Sequence, residues 1–139
     1  MDSFEVSAVL PASPEQVYQA WLDAKEHSAF TGGEAEVEPF VGGKFSAWDG
    51  YIEGRTLELE PGQRIVQAWR TTEFPPNARD SRLEVLLAKT RGGTRITLKH
   101  GNIPSGQGKE YEQGWADHYF TPMKAYFAGK SGKSGKKGG

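Results

Sequence analysis

The chain has 139 residues, enough for one domain with a real core and short for two. It lacks cysteine, which excludes disulfides, thiolate metal sites and cysteine nucleophiles, and no apolar run nears the roughly 18 residues of a membrane-spanning helix. Seventeen bases nearly balance 18 acids, but residues 1–127 hold every acid and only 13 of the bases, and this excess of negative charge argues against a nucleic-acid partner.

The first residues, MDSFEVSAVL, carry acids where a secretory signal would carry positive charge, so a cytoplasmic location is expected. Phe4, Val6, Ala8 and Leu10 alternate with Ser3, Glu5 and Ser7, the period of a half-buried strand. Pro11 to Pro14 stop that strand and open a helix: Ser13 suits the N-cap, Pro14 the first turn, and Gln16 completes a capping box. Val17, Ala20 and Trp21 form its apolar stripe. Asp23 with Glu26 repeats the capping pattern for a second short helix, ending near Phe30 and closed by Thr31-Gly32-Gly33.

From Glu34 to His100 the punctuation is that of an antiparallel meander, with turn signals at Gly42-Gly43, Asp49-Gly50, Pro61-Gly62 and Gly92-Gly93. Asp-Gly favours a type I′ turn, because both central positions there need positive φ. A tight turn at 49–50 sets Trp48 opposite Tyr51 and Phe45 opposite Gly54; another at 61–62 brings Trp69 to the other side of Gly54. Glu34, Glu36 and Glu38 read as a solvated edge. Around Gly92-Gly93, Leu83, Val85 and Leu87 share one face with Ile96, Leu98 and His100, and that apolar face needs a cover. The cover expected is a helix over about 109–127, after a Gly-rich loop at 101–108. It carries Tyr111, Trp115, His118, Tyr119, Met123, Tyr126 and Phe127, with a kink or fresh start at Pro122. Gly114, before Trp115, is expected to let helix and sheet approach closely. Residues 1–127 thus form one domain, and 128–139 a flexible Gly/Lys/Ser tail with almost nothing to bury.

The resulting order is α+β: a strand, two short helices, six strands and a long C-terminal helix. It resembles the helix-grip fold of the START-like (SRPBCC) superfamily, in which a curved antiparallel sheet wraps that helix. Four segments carry the likeness in order: Ala12–Trp21, Leu59–Val66 with Trp69, Gly93–His100, and Gly114-Trp115. They are similar to the branch that includes the C-terminal domain of the activator of heat-shock protein 90 ATPase. The resemblance implies a cavity between sheet and helix for an apolar or amphipathic small molecule. It also implies two alternatives, a chaperone-associated interaction module or an enzyme using the cavity, the enzyme being the less favoured. The eukaryotic co-chaperone has an N-terminal domain as well, for which this chain leaves no room, so ATPase activation is not expected.

Sixteen aromatics, with Phe45, Trp48, Trp69, Trp115 and Tyr119 as a set, are many for so small a domain, and large rings with polar tips suit a cavity that fixes one polar end of a ligand. The candidate cavity residues are Phe45, Trp69, His100, Trp115 and Tyr119. Of these, His100 is also the candidate general base of the enzyme reading. His27, His100 and His118 show neither HxH nor HExxH spacing, and the Gly-rich stretches match no phosphate-binding loop, so neither metal nor nucleotide cofactor is expected. Glu53, Arg55 and Arg70 share a face, solvated or, if turned inward, able to anchor a ligand carboxylate. A monomer or a homodimer suits the composition equally.

Overall fold

A computed structural model describes residues 1–135, with side chains through residue 129. The first strand, β1 (Asp2–Leu10), leads into α1 (Pro14–Leu22) and α2 (Ala24–Thr31). Six strands follow: β2 (Glu36–Val37), β3 (Lys44–Ala47), β4 (Ile52–Glu60), β5 (Arg64–Thr71), β6 (Ser81–Thr90) and β7 (Gly93–Ile103). The C-terminal helix comprises α3 (Gly108–Gly114), a π-helical turn (Trp115–Phe120) and α4 (Thr121–Gly135). The seven strands form one antiparallel sheet in the order β1-β7-β6-β5-β4-β3-β2, so β1 and β2 are its two edges and the meander that begins at β2 ends with β7 paired to β1. This is the α+β helix-grip architecture expected, with the helix packed on the sheet. The side chains of the expected tail lie outside the described residues from position 130 onward.

Local chemistry accounts for the elements. The Ser13 hydroxyl accepts from the Gln16 N–H at 3.1 Å, and the Ser13 N–H donates to the Gln16 side chain at 2.9 Å, completing the capping box. Asp23 caps α2 through the Glu26 N–H, and Gly32 ends it at φ 84°, a conformation glycine adopts without a Cβ penalty. Asp49 and Gly50 sit at φ 57° and 89°, as a type I′ turn requires, and the Tyr51 N–H closes it on the Trp48 carbonyl. Gly54 pairs with Phe45 on one side and Trp69 on the other, in the register read from the sequence. A Cβ on Gly54 would lie 2.7 Å from the Phe45 ring, so the missing side chain makes room for that aromatic.

Leu83, Val85 and Leu87 pair with His100, Leu98 and Ile96, and together they are the apolar floor under the helix. Strand β7 runs on through Gly101 to Ile103, because Gly101 still pairs with Arg82 and Ile103 with Asp2; the Gly-rich loop is therefore shorter than expected. The irregularity expected at Pro122 lies one turn earlier, in the π-helical turn. Proline has no N–H to give and crowds the preceding turn, and the chain widens there so that the Thr121 N–H reaches back five residues to the Ala116 carbonyl. Among the described residues, no helix is long and apolar enough to cross a membrane.

Candidate functional site

A cleft of about 300 Å³ lies between the sheet and the C-terminal helix. On the sheet side are Trp48 and Tyr51 of the β3–β4 turn, Ile52 of β4 and Trp69 of β5. The helix contributes Tyr111, Trp115 and Tyr119, which its four-residue spacing sets on one face, with Gly114 and His118 beside them. Trp69, Trp115 and Tyr119 are buried at the base, whereas Trp48 and Tyr51 are half-buried and His118 is exposed, so these three form the mouth. Trp48 holds φ at 54°, which bulky residues rarely adopt. Its indole packs over Gly33, where even a Cβ would come within 2.8 Å of the ring, and meets the His118 ring edge-on at 5.5 Å across the mouth.

Beneath the cleft, polar groups complete one another. The indole N–H of Trp115 donates to His100 Nδ1 at 3.1 Å. Indole is a donor only, so Nδ1 carries the lone pair and the imidazole proton sits on Nε2. Nε2–H then donates to Ser81 Oγ at 2.9 Å, and the Ser81 hydroxyl donates to the Trp69 carbonyl at 2.6 Å. Burial pushes the His100 imidazole down to about 3, so it is neutral near pH 7. A second chain supports the next helical turn. His27 Nδ1–H donates to the Trp21 carbonyl at 2.9 Å, which leaves Nε2 to accept the Tyr119 hydroxyl proton at 2.8 Å. Burial lowers His27 to about 4, against a smaller opposing pull from the Trp21 carbonyl, and burial raises the Tyr119 phenol far above its ordinary value.

At the third cleft tyrosine of the base, Tyr111 accepts from Thr71 and donates to Gln107, both at 2.6 Å. Tyr51 donates to the Glu73 carboxylate at 2.6 Å, and its phenol is raised mainly by burial and then by Glu73. The cleft therefore offers aromatic walls whose hydroxyl protons are already committed. Among the described residues it contains no carboxylate, lysine or arginine.

Of the residues picked from sequence, Trp69, Trp115 and Tyr119 come together in this cleft. Phe45 packs on Gly54 instead, and His100 lies under Trp115 with both nitrogens bonded, so its lone pair is not available to a substrate. Gly114 does not mediate a close helix–sheet approach. A Cβ there would meet only His118, at 4.0 Å, and the glycine instead leaves part of the cleft open. Arg70 turns away from the cleft to Asp80 at 2.8 Å and to the Ala78 carbonyl at 3.0 Å, while Arg55 bonds the Gly42 carbonyl. Trp48 of the aromatic set also lines the cleft, and Tyr51, Ile52 and Tyr111 join it from outside that set; the Asp49-Gly50 turn signal, which projects its two flanking aromatics, could have found Tyr51. Among the described residues, no three His, Asp or Glu side chains group as metal ligands would.

The family model described as Activator of Hsp90 ATPase homolog 1-like protein matches residues 11–128. The chain belongs to this family. The human activator of 90 kDa heat shock protein ATPase homolog 1 is 30% identical over 115 residues, covering 83% of this chain and 34% of the human protein. The Dictyostelium discoideum homolog is 27% identical, covering 84% of this chain and 30% of its own length. The chain thus spans about a third of the length of these curated relatives. A crystal structure of an HSP90 activator from Plasmodium falciparum superposes with a TM-score of 0.81 at 27% identity, covering 91% of this chain and 96% of that one. The Aha1 dimer from Colwellia psychrerythraea shares the fold, with a TM-score of 0.76 at 17% identity over 94% of this chain and 99% of that chain. Every cleft residue and both histidine chains of this Activator of Hsp90 ATPase homolog 1-like domain fall within the matched segment.

Proposed function

We propose that the domain binds an uncharged apolar or amphipathic small molecule in the cleft between sheet and C-terminal helix. The observation that carries this reading is the aromatic cleft itself: an unfilled volume of about 300 Å³, at the small end of ligand-site volumes, walled by three tryptophans and three tyrosines. Burying a ring or an aliphatic chain there contributes about 25 cal/mol for each Å² of apolar surface removed from water. The test is titration with N-phenyl-1-naphthylamine, a neutral dye that brightens in apolar surroundings, alongside tryptophan emission. Saturable dye emission with a matching tryptophan change supports the reading, and the absence of both contradicts it.

A second reading rests on a different observation. Phe40, Val41 and Leu57 are exposed together near the Gly42–Thr56 backbone bond, and named relatives are activators of a 90 kDa heat shock protein ATPase. An exposed apolar patch of this kind suits a protein partner. Under this reading the chain associates with that chaperone, and Phe40→Ser with Leu57→Ser would weaken co-sedimentation with it while leaving dye binding intact.

A further inference from the structure

The chemistry that a ligand would need follows from the Trp69 indole N–H, a deeply set donor without a protein acceptor among the described residues. Trp21 and Trp115 donate their indole protons to Gln67 and His100. The Trp69 indole N–H donates to nothing among the described residues, although the side chain is 96% buried. No buried side-chain polar atom in the described residues lacks a partner, so this N–H reaches accessible space, and the space bordered by its ring is the cleft. The Tyr51, Tyr111 and Tyr119 hydroxyls direct their protons to Glu73, Gln107 and His27, away from any ligand.

Resting on the ligand-binding reading above, we infer that the cleft selects a small, uncharged, one- or two-ring molecule bearing a carbonyl oxygen that accepts from the Trp69 indole N–H. The volume excludes a sterol or a long acyl chain from full burial. Among the described residues the walls carry no carboxylate, lysine or arginine to compensate the desolvation of an ionised group. An indole N–H presents the positive edge of the ring, which disfavours a cation at that point and favours an acceptor. A hydrocarbon could fill the space, but it would seal the N–H from water without a partner, and that penalty is what a carbonyl removes.

The experiment compares 1-tetralone with tetralin, which share a two-ring skeleton and differ in the carbonyl. Binding is followed calorimetrically and by the four indole N–H signals of the ¹⁵N-labelled protein. The ketone is expected to bind about tenfold more tightly than the hydrocarbon, the usual scale for one buried hydrogen bond gained. It should also move the Trp69 indole proton downfield, and Trp69→Phe should abolish the preference while tetralin still binds. The wild-type comparison decides the matter even if that variant is unstable. Equal affinity of the two probes, or a ketone shift confined to Trp48 at the mouth, overturns the inference and leaves the apolar cleft standing. Failure of both probes to bind overturns the inference and the cleft reading together.

Discussion

The aromatic layer under the C-terminal helix has two halves built from the same residue types. In the inner half, Trp21 and Trp115 stack at 6.1 Å, and each indole N–H, imidazole nitrogen and hydroxyl is paired: Trp115 to His100, His100 to Ser81, Tyr119 to His27. In the outer half, Trp48 and Trp69 face unfilled space and neither indole N–H has an acceptor among the described residues. Aromatic content therefore does not separate core from site in this domain. The indole donors do differ: those of Trp21 and Trp115 are paired within the protein, whereas those of Trp48 and Trp69 are left to water or a ligand.

The largest effect expected from breaking the inner half is at Trp115. Trp115→Ala removes a large buried ring and orphans His100 Nδ1, so denaturant unfolding should show a loss of about 3–5 kcal/mol. Acid should act on the same half. His27 and His100 are held below the ordinary histidine value of 6.5, at about 4 and about 3, so the unfolded chain takes up their protons first. Stability is then fully present above about pH 6.5 and is lost as pH falls toward those values, by about 1.4 kcal/mol per pH unit for each histidine. Urea midpoints between pH 6.5 and 5 would show this slope; a flat profile would mean that the imidazoles are not buried neutral.

Paired tyrosine variants sharpen the contrast further. Tyr119→Phe should cost about 1–3 kcal/mol, since His27 Nε2 loses its donor inside the protein. Tyr51→Phe, at the mouth, should change stability by no more than about 0.5 kcal/mol in either direction. Similar losses for both would erase the distinction between the halves. Opposite in sign is Gly114→Ala: with helical φ of −61° and open space beside it, the substitution should raise stability by about 0.4–1 kcal/mol.

These contrasts also show what the sequence discloses. The caps at Ser13 and Asp23, the register of Phe45, Gly54 and Trp69, and the β6–β7 hairpin are local, since a turn residue or a period of two specifies each. The cleft is not local. Trp69 and Trp115 could be placed on facing elements by periodicity. Whether Phe45 or Trp48 turned toward them depended on the positive φ at Trp48 and the packing over Gly33. The pairing of His27 with Tyr119 spans 92 positions, and no pattern in either segment announces it. His100 reads from sequence as a hydrogen-bonded core or rim histidine, with a general base as the alternative, and the approach of Trp115 and Ser81 supplies the partners of both its nitrogens.

Gly114 distinguishes a ligand site in the outer half from loosely packed core. Gly114→Leu extends a side chain into the cleft from a backbone that accepts it. For a ligand site, the expected result is an unfolding midpoint at or above that of the unsubstituted protein together with loss of N-phenyl-1-naphthylamine binding. A lowered midpoint with dye binding unchanged would contradict it.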